Sequence, residues 1–119
     1  MEFIHKELAS GKWFTLSLCE QLGNIGSEIS RAIKWKNKNH TIYENAVFRA
    51  LELTDITLMD KRWTYRLKEI TRLREMIGDA YYDGLEFGST FPSIEIYLMP
   101  FAISARAKLK PLSFGEGLG

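Results

Sequence analysis

At 119 residues and 13.7 kDa the chain has the size of one domain. With 45% hydrophobic and 26% charged residues it has the balance of an ordinary globular protein, and its apolar runs stop short of the roughly 18–20 residues a membrane helix needs. The net charge of +1 supplies no global field toward nucleic acid or a membrane, so any such attraction must come from a local patch.

Residues 1–9 contain Phe3, Ile4 and Leu8 and read as a short segment, at most one helix ended by Ser10-Gly11. Glu2, Lys6 and Glu7 in that stretch do not fit a secretory leader. The single cysteine, Cys19, has no internal partner and fits a reducing cytoplasm, the expected location. A first helix is predicted from about Lys12 to Lys36. Phe14, Leu18, Leu22, Ile25, Ile29, Ala32 and Lys36 follow at steps of four and three, which keeps them on one face. A second stripe on this helix, Cys19, Gly23, Gly26 and Ser30, is small. Two glycines inside a helix cost about 1 kcal/mol each relative to alanine, so a closely packed neighbour must offset them, either in the same bundle or in a second subunit.

After the polar turn Asn37-Lys38-Asn39-His40, Thr41 with Glu44 three residues on has capping-box spacing, and a second helix is predicted from about Ile42 to Asp60. Ile42, Ala46, Val47, Ala50, Leu51 and Leu53 make its inward face. Phe48, Ile56 and Met59 fall elsewhere and suggest a second buried surface, an oligomer or partner interface. Trp13, Leu16 and Trp35 also lie off the main stripe of the first helix. A third helix runs from about Trp63 to Asp83, with Leu67, Ile70, Leu73, Ile77 and Tyr81 on one face, and Gly84 and Gly88 bracket a loop. The fourth is placed at about Ser93 to Lys108. There Ile94, Ile96 and Leu98 alternate as a strand would and Pro100 sits mid-segment, so a kinked helix is preferred over an extended start. The expected fold is all-α: an antiparallel up-down four-helix bundle spanning 1–110, with a short N-terminal segment and a disordered tail over 111–119.

Charge is segregated along such a rod. Arg31, Lys34, Lys36 and Lys38 follow one another with no acid between Glu28 and Glu44, and Trp35, Asn37, Asn39, His40 and Tyr43 are interleaved. Cations complement the C-terminal end of a helix dipole, and a basic, aromatic-bearing tip also suits RNA phosphates and bases. A second cluster holds Lys61, Arg62, Arg66, Lys68, Arg72 and Arg74. In an up-down-up-down bundle its start meets Lys12 and the end of the fourth helix, Arg106, Lys108 and Lys110, giving a positive end suited to a phosphate-rich partner.

The parts of common catalytic sites are missing from the pattern. There is no Cys-x-x-Cys and no His-Glu-x-x-His, so no metal site is expected. Gly23-x-x-Gly26 lacks the strand and lysine of a phosphate loop. The two histidines, His5 and His40, show no carboxylate at a spacing that predicts a shared site, and no catalytic residue, cofactor or small-molecule substrate is expected. The HEPN-type ribonucleases place a histidine four to six residues after an arginine; Arg31 and His40 have eight residues between them, which leaves a ribonuclease the least favoured alternative.

The segment Gln21-Leu22-Gly23-Asn24-Ile25-Gly26-Ser27-Glu28-Ile29-Ser30-Arg31-Ala32, with the helix pattern from about Lys12 to Arg106, resembles the four-helix-bundle proteins encoded in 23S rRNA intervening sequences and the related accessory proteins (Avd) of diversity-generating retroelements. The resemblance implies a homo-oligomer, pentameric in the accessory proteins, whose basic surfaces bind structured nucleic acid and a reverse transcriptase, and it implies no catalysis. The expectation is therefore a non-enzymatic, oligomeric adaptor for structured RNA or an RNA-handling protein. Its candidate contacts are Arg31, Lys34, Trp35, Lys36, Lys38, Lys61, Arg62, Arg66, Arg106 and Lys108, and its candidate interface residues are Gly23, Gly26, Phe48, Ile56 and Met59. A purely protein-binding bundle is the alternative.

Overall fold

A computed structural model describes residues 11–109, with side chains to residue 107. The N-terminal segment 1–10, Lys110 and the tail 111–119 lie outside the described residues, as does the side chain of Lys108. Four α-helices account for most of the described chain: α1 (Leu18–Trp35), α2 (His40–Leu58), α3 (Leu67–Tyr81) and α4 (Phe91–Leu109), with 3-10 turns at Lys12–Thr15 and Lys61–Arg66.

The helix starts differ from the expected ones because of capping. Ser17 Oγ accepts from the Glu20 N–H at 3.1 Å while the Glu20 carboxylate accepts from the Ser17 N–H at 2.8 Å. This reciprocal box starts α1 at Leu18 and leaves Lys12–Thr15 as a separate turn that buries Trp13. At α2 the cap is Asn39, not Thr41: its Oδ1 accepts from the Ile42 N–H at 3.1 Å. Asp60 accepts from the Arg62 N–H and begins the second 3-10 turn, so α3 starts at Leu67. Thr90 Oγ1 accepts from the Ser93 N–H at 3.2 Å ahead of α4, which then runs through Pro100 as one helix. Helix prevails over the strand-like alternation because Ile94 and Leu98 enter the core while Ile96 stays 69% exposed.

The helices alternate in direction. Gly23 of α1 lies against Ala102 of α4, and Ser30 donates to Glu95 at 2.5 Å, so sequence order reverses between the two. Arg74 on Asp55 and Tyr81 on Phe48 show the same reversal between α2 and α3. Helix α1 is the spine, packed along both α2 and α4, whereas α3 leans on α2 and touches α4 lightly. Leu22, Ile25, Ile29 and Ala32 of the predicted stripe are buried, joined by Ile56, Ile77, Ile94 and Leu98. Each of the larger of these contributes roughly 1.5–3 kcal/mol by leaving water.

The small stripe of α1 is spent on the chain's own α4. A Cβ on Gly23 would stand 3.1 Å from the Ala102 Cα, and one on Gly26 would stand 3.3 Å from the Leu98 Cβ. Ile56, expected on an outer surface, is fully buried. Helix α2 is flanked by α1 on one side and α3 on the other, so its buried arc is wider than a single-face reading allows.

Candidate functional site

At one end of the bundle the second 3-10 turn folds back on the start of α1. The Trp63 indole N–H donates to Gln21 Oε1 at 2.7 Å, and the Gln21 amide donates to the Trp13 carbonyl at 2.9 Å and to Asp60 Oδ2 at 3.1 Å. The Trp13 indole N–H donates to Thr57 Oγ1 at 2.9 Å. Arg62 completes the network, donating to Asp60 Oδ2 at 2.7 Å and to the Leu16 carbonyl at 2.6 Å while its guanidinium lies 4.4 Å from the Trp63 ring centroid. The hydrogen bond from Arg62 holds the Asp60 carboxyl below the usual carboxylate range, with burial working against it and Gln21 adding to it.

This tryptophan end alters the expected set of contacts. Arg62 clamps a buried carboxylate and a backbone carbonyl, which is a structural task. Arg66 pairs with Glu69 at 3.0 Å, and Arg74 pairs with Asp55 at 2.7 Å. Lys61, Lys68 and Arg72 remain exposed, without an acidic partner among the described residues, as does Arg106 at the end of α4.

The opposite end carries Arg31, Lys34, Lys36 and Lys38 on the last turns of α1 and the turn after it. All four are exposed, with no acidic partner among the described residues. Trp35 is half-buried, and the Lys34 ammonium sits 5.5 Å from its ring centroid. Beside them a cavity of about 340 Å³ is lined by Lys36, Asn37, Asp83, Ser89 and Thr90 over an apolar floor that includes Phe91. Of the acids near this end, Asp83 lines that cavity beside Lys36, whereas Asp79 is engaged within its own loop. Asp79 is buried and accepts from the backbone N–H groups of Glu86, Phe87 and Ser89 at 2.9, 3.1 and 2.9 Å. Burial pushes its pKa upward, but these hydrogen bonds outweigh it and hold the carboxyl below its ordinary value.

Asp79 thereby shapes the loop between α3 and α4. Its tight path needs Gly84 at φ +71, where a Cβ would stand 2.9 Å from the Ser89 carbonyl oxygen. The loop displays Leu85 at 84% exposure and Phe87 at 61%. His40, expected in a turn and without a carboxylate, is the first residue of α2 and lies 3.1 Å from Glu44, which also accepts from the Tyr81 hydroxyl. The i,i+4 spacing of His40 and Glu44 carried that signal. The Tyr81 hydroxyl is pushed up to about 12, first by its hydrogen bond to Glu44 and then by burial.

Of the apolar interface candidates, Phe48 and Met59 are exposed, and Phe48 also packs edge-on to Tyr81. A further exposed apolar surface, without a partner among the described residues, is the outer side of α4, where Ile96, Met99 and Ile103 are 69%, 50% and 55% exposed. Three apolar residues at 94, 96 and 98 cannot share one helix face, so the alternation itself signalled a helix apolar on two sides. Among the described residues no group of three His, Cys, Asp or Glu side chains could hold a metal ion, and no helix is long and apolar enough to cross a membrane. The chain matches no known protein family, and neither its sequence nor its fold matches a curated protein or a solved structure.

Proposed function

We propose that this protein is a non-enzymatic, oligomeric adaptor that holds the phosphate backbone of a structured RNA at its lysine end, in company with an RNA-handling protein such as a reverse transcriptase. One observation carries the reading: Arg31, Lys34, Lys36 and Lys38 are exposed together with no acidic partner among the described residues, beside Trp35, while Asp79, buried at the same end, is consumed by its own loop. Such a set binds phosphates by releasing their counterions, and a half-buried indole at its edge offers a surface on which an unpaired base can stack. The resemblance of Gln21 to Ala32 to bundle proteins associated with RNA supports the same assignment.

Binding of a fluorescent RNA hairpin, followed by anisotropy against salt, tests it. Lys34→Glu with Lys38→Glu is expected to weaken binding about tenfold or more at low salt and to reduce the slope of log affinity against log salt by about 2. Both side chains are exposed, so far-ultraviolet helicity should persist. Binding that is absent in the parent chain, or unchanged in the variant, overturns the assignment. A protein-binding module is the second reading, favoured by the exposure of Leu85 and Phe87 on a loop that Asp79 holds in shape. It predicts no salt-dependent RNA affinity.

A further inference from the structure

The outer side of α4 is an unpartnered helix face with unusual order. Pro92, Ile96, Met99, Pro100, Ile103 and Ala107 recur at steps of three and four, so they form one stripe diametrically opposite the buried Ile94, Leu98 and Ala105. The stripe is about 22 Å long at the helical rise. No charged residue interrupts the sequence between Glu95 and Arg106. A helix that is apolar all round belongs in an interior, and α4 has only one side in this one.

The two charges at its ends say what fits. Glu95 and Arg106 both lie on the flank nearest α1, along the groove that also contains Gly23, Gly26 and Ser30. Glu95 accepts from the Ser30 hydroxyl, and Arg106 has no acidic partner among the described residues. A two-fold axis perpendicular to the helix near Met99 and Pro100 lays a second α4 antiparallel on the first. That operation keeps each flank on its own side and reverses height, so Ile96 meets Ile103 of the second copy. It also brings Glu95 to within about 3 Å, along the axis, of the height of the opposing Arg106. A parallel arrangement puts these charges on opposite flanks. The stripe is complementary to itself in the antiparallel sense.

We propose that the outer face of α4 binds a second copy of this chain in an antiparallel, two-fold arrangement, with Glu95 and Arg106 pairing reciprocally across it. This rests on the oligomeric part of the adaptor reading and makes it two-fold, where the resemblance implies a five-fold assembly. The test uses no RNA, so failure of one leaves the other standing.

Light scattering on a sizing column should give a multiple of twice the 13.7 kDa chain mass. Ile103→Asp, at an exposed position, should halve that mass with helicity retained. Glu95→Arg and Arg106→Glu each place like charges at both ends of the contact and should weaken association about tenfold, and the double variant should restore it. A Met99→Cys substitution in a Cys19→Ser chain should form an intermolecular disulfide with its own counterpart near the axis. A parent chain that is monomeric at 13.7 kDa overturns the proposal and leaves the stripe to residues 1–10 or to a different protein. A larger assembly that survives Ile103→Asp, or that gives no Met99→Cys cross-link, also overturns it and places the contact between copies on another face.

Discussion

Each end of the bundle buries one aspartate, and the two are used in opposite ways. At the tryptophan end Asp60 grips the Arg62 guanidinium and the Gln21 amide, so an acid and a cation cancel inside a hydrogen-bonded lock. At the lysine end Asp79 spends both carboxylate oxygens on backbone N–H groups of its own loop. Neither oxygen is left over for Lys34, Lys36 or Lys38. The two buried carboxylates therefore do different work: one holds a cation within the tryptophan end, where Lys61, Lys68, Arg72 and Arg106 still stand exposed, and the other holds a loop beside the exposed Lys34, Lys36 and Lys38. A count of charges along the chain treats them alike; what separates them is whether a buried carboxylate meets a side chain or the main chain.

The sharpest way to break this contrast is at Asp60. Asp60→Ala leaves Arg62 and Gln21 without their acceptor and is expected to cost roughly 2–3 kcal/mol in urea unfolding. The figure stays below that of a fully buried pair because the Arg62 side chain is 42% exposed. A loss under about 1 kcal/mol would show that the lock contributes little. The pH dependence follows from the same depressed pKa. Near and below the ordinary value of 3.8 the unfolded chain takes up a proton that folded Asp60 still refuses, so the stability it contributes is complete above that pH and is lost as pH falls through the lower folded value. Asp79 is depressed in the same direction, so Asp60→Asn and Asp79→Asn should each flatten part of the acid limb of a stability profile.

A smaller, local effect is expected from Asp79→Asn. An asparagine keeps one acceptor and turns a donor toward N–H groups, so the amides of Glu86, Phe87 and Ser89 should exchange with deuterium at least about tenfold faster. The tryptophan end should keep its protection in that variant, and a global rise in exchange would show that the two ends are not independent. The mildest change is Gly78→Ala, one residue before Asp79 within α3. Nothing lies within 4 Å of the added methyl, so the variant should gain about 0.5–1 kcal/mol in thermal or urea unfolding. Gly23→Ala should show no such gain, because its methyl meets the Ala102 backbone at 3.1 Å.

The bundle was legible because its evidence is periodic. The face from Leu22 through Ala32 and that from Ile70 through Ile77 are buried as their spacing predicts. Helix ends were misplaced where two capping residues compete. Asn39 lies just upstream of Thr41, and Ser17 with Glu20 cuts a helix whose apolar spacing alone would carry it back to Lys12. Ile56 was misassigned since burial on α2 depends on two neighbours, which one helix's periodicity does not encode. The basic clusters were visible, but their partners were not. Asp60 and Arg62 pair directly, yet what ties that pair to the rest of the bundle is Gln21 and the Leu16 carbonyl, some forty residues away. The outer face of α4 is obscured in the sequence because Ile94, Ile96 and Leu98 alternate as a strand would.

The placement of the three tryptophans has an optical consequence. Trp13 and Trp63 lie inside the lock, one of them only 2% exposed and the other beneath a guanidinium, whereas Trp35 stands half-covered beside the ammonium of Lys34. The chain thus carries separate fluorophores at its two ends, in surroundings unlike enough for their emission and quenching to differ. Dissolution of the lock and arrival of a polyanion at the lysines are then distinguishable by intrinsic emission alone, with no attached dye.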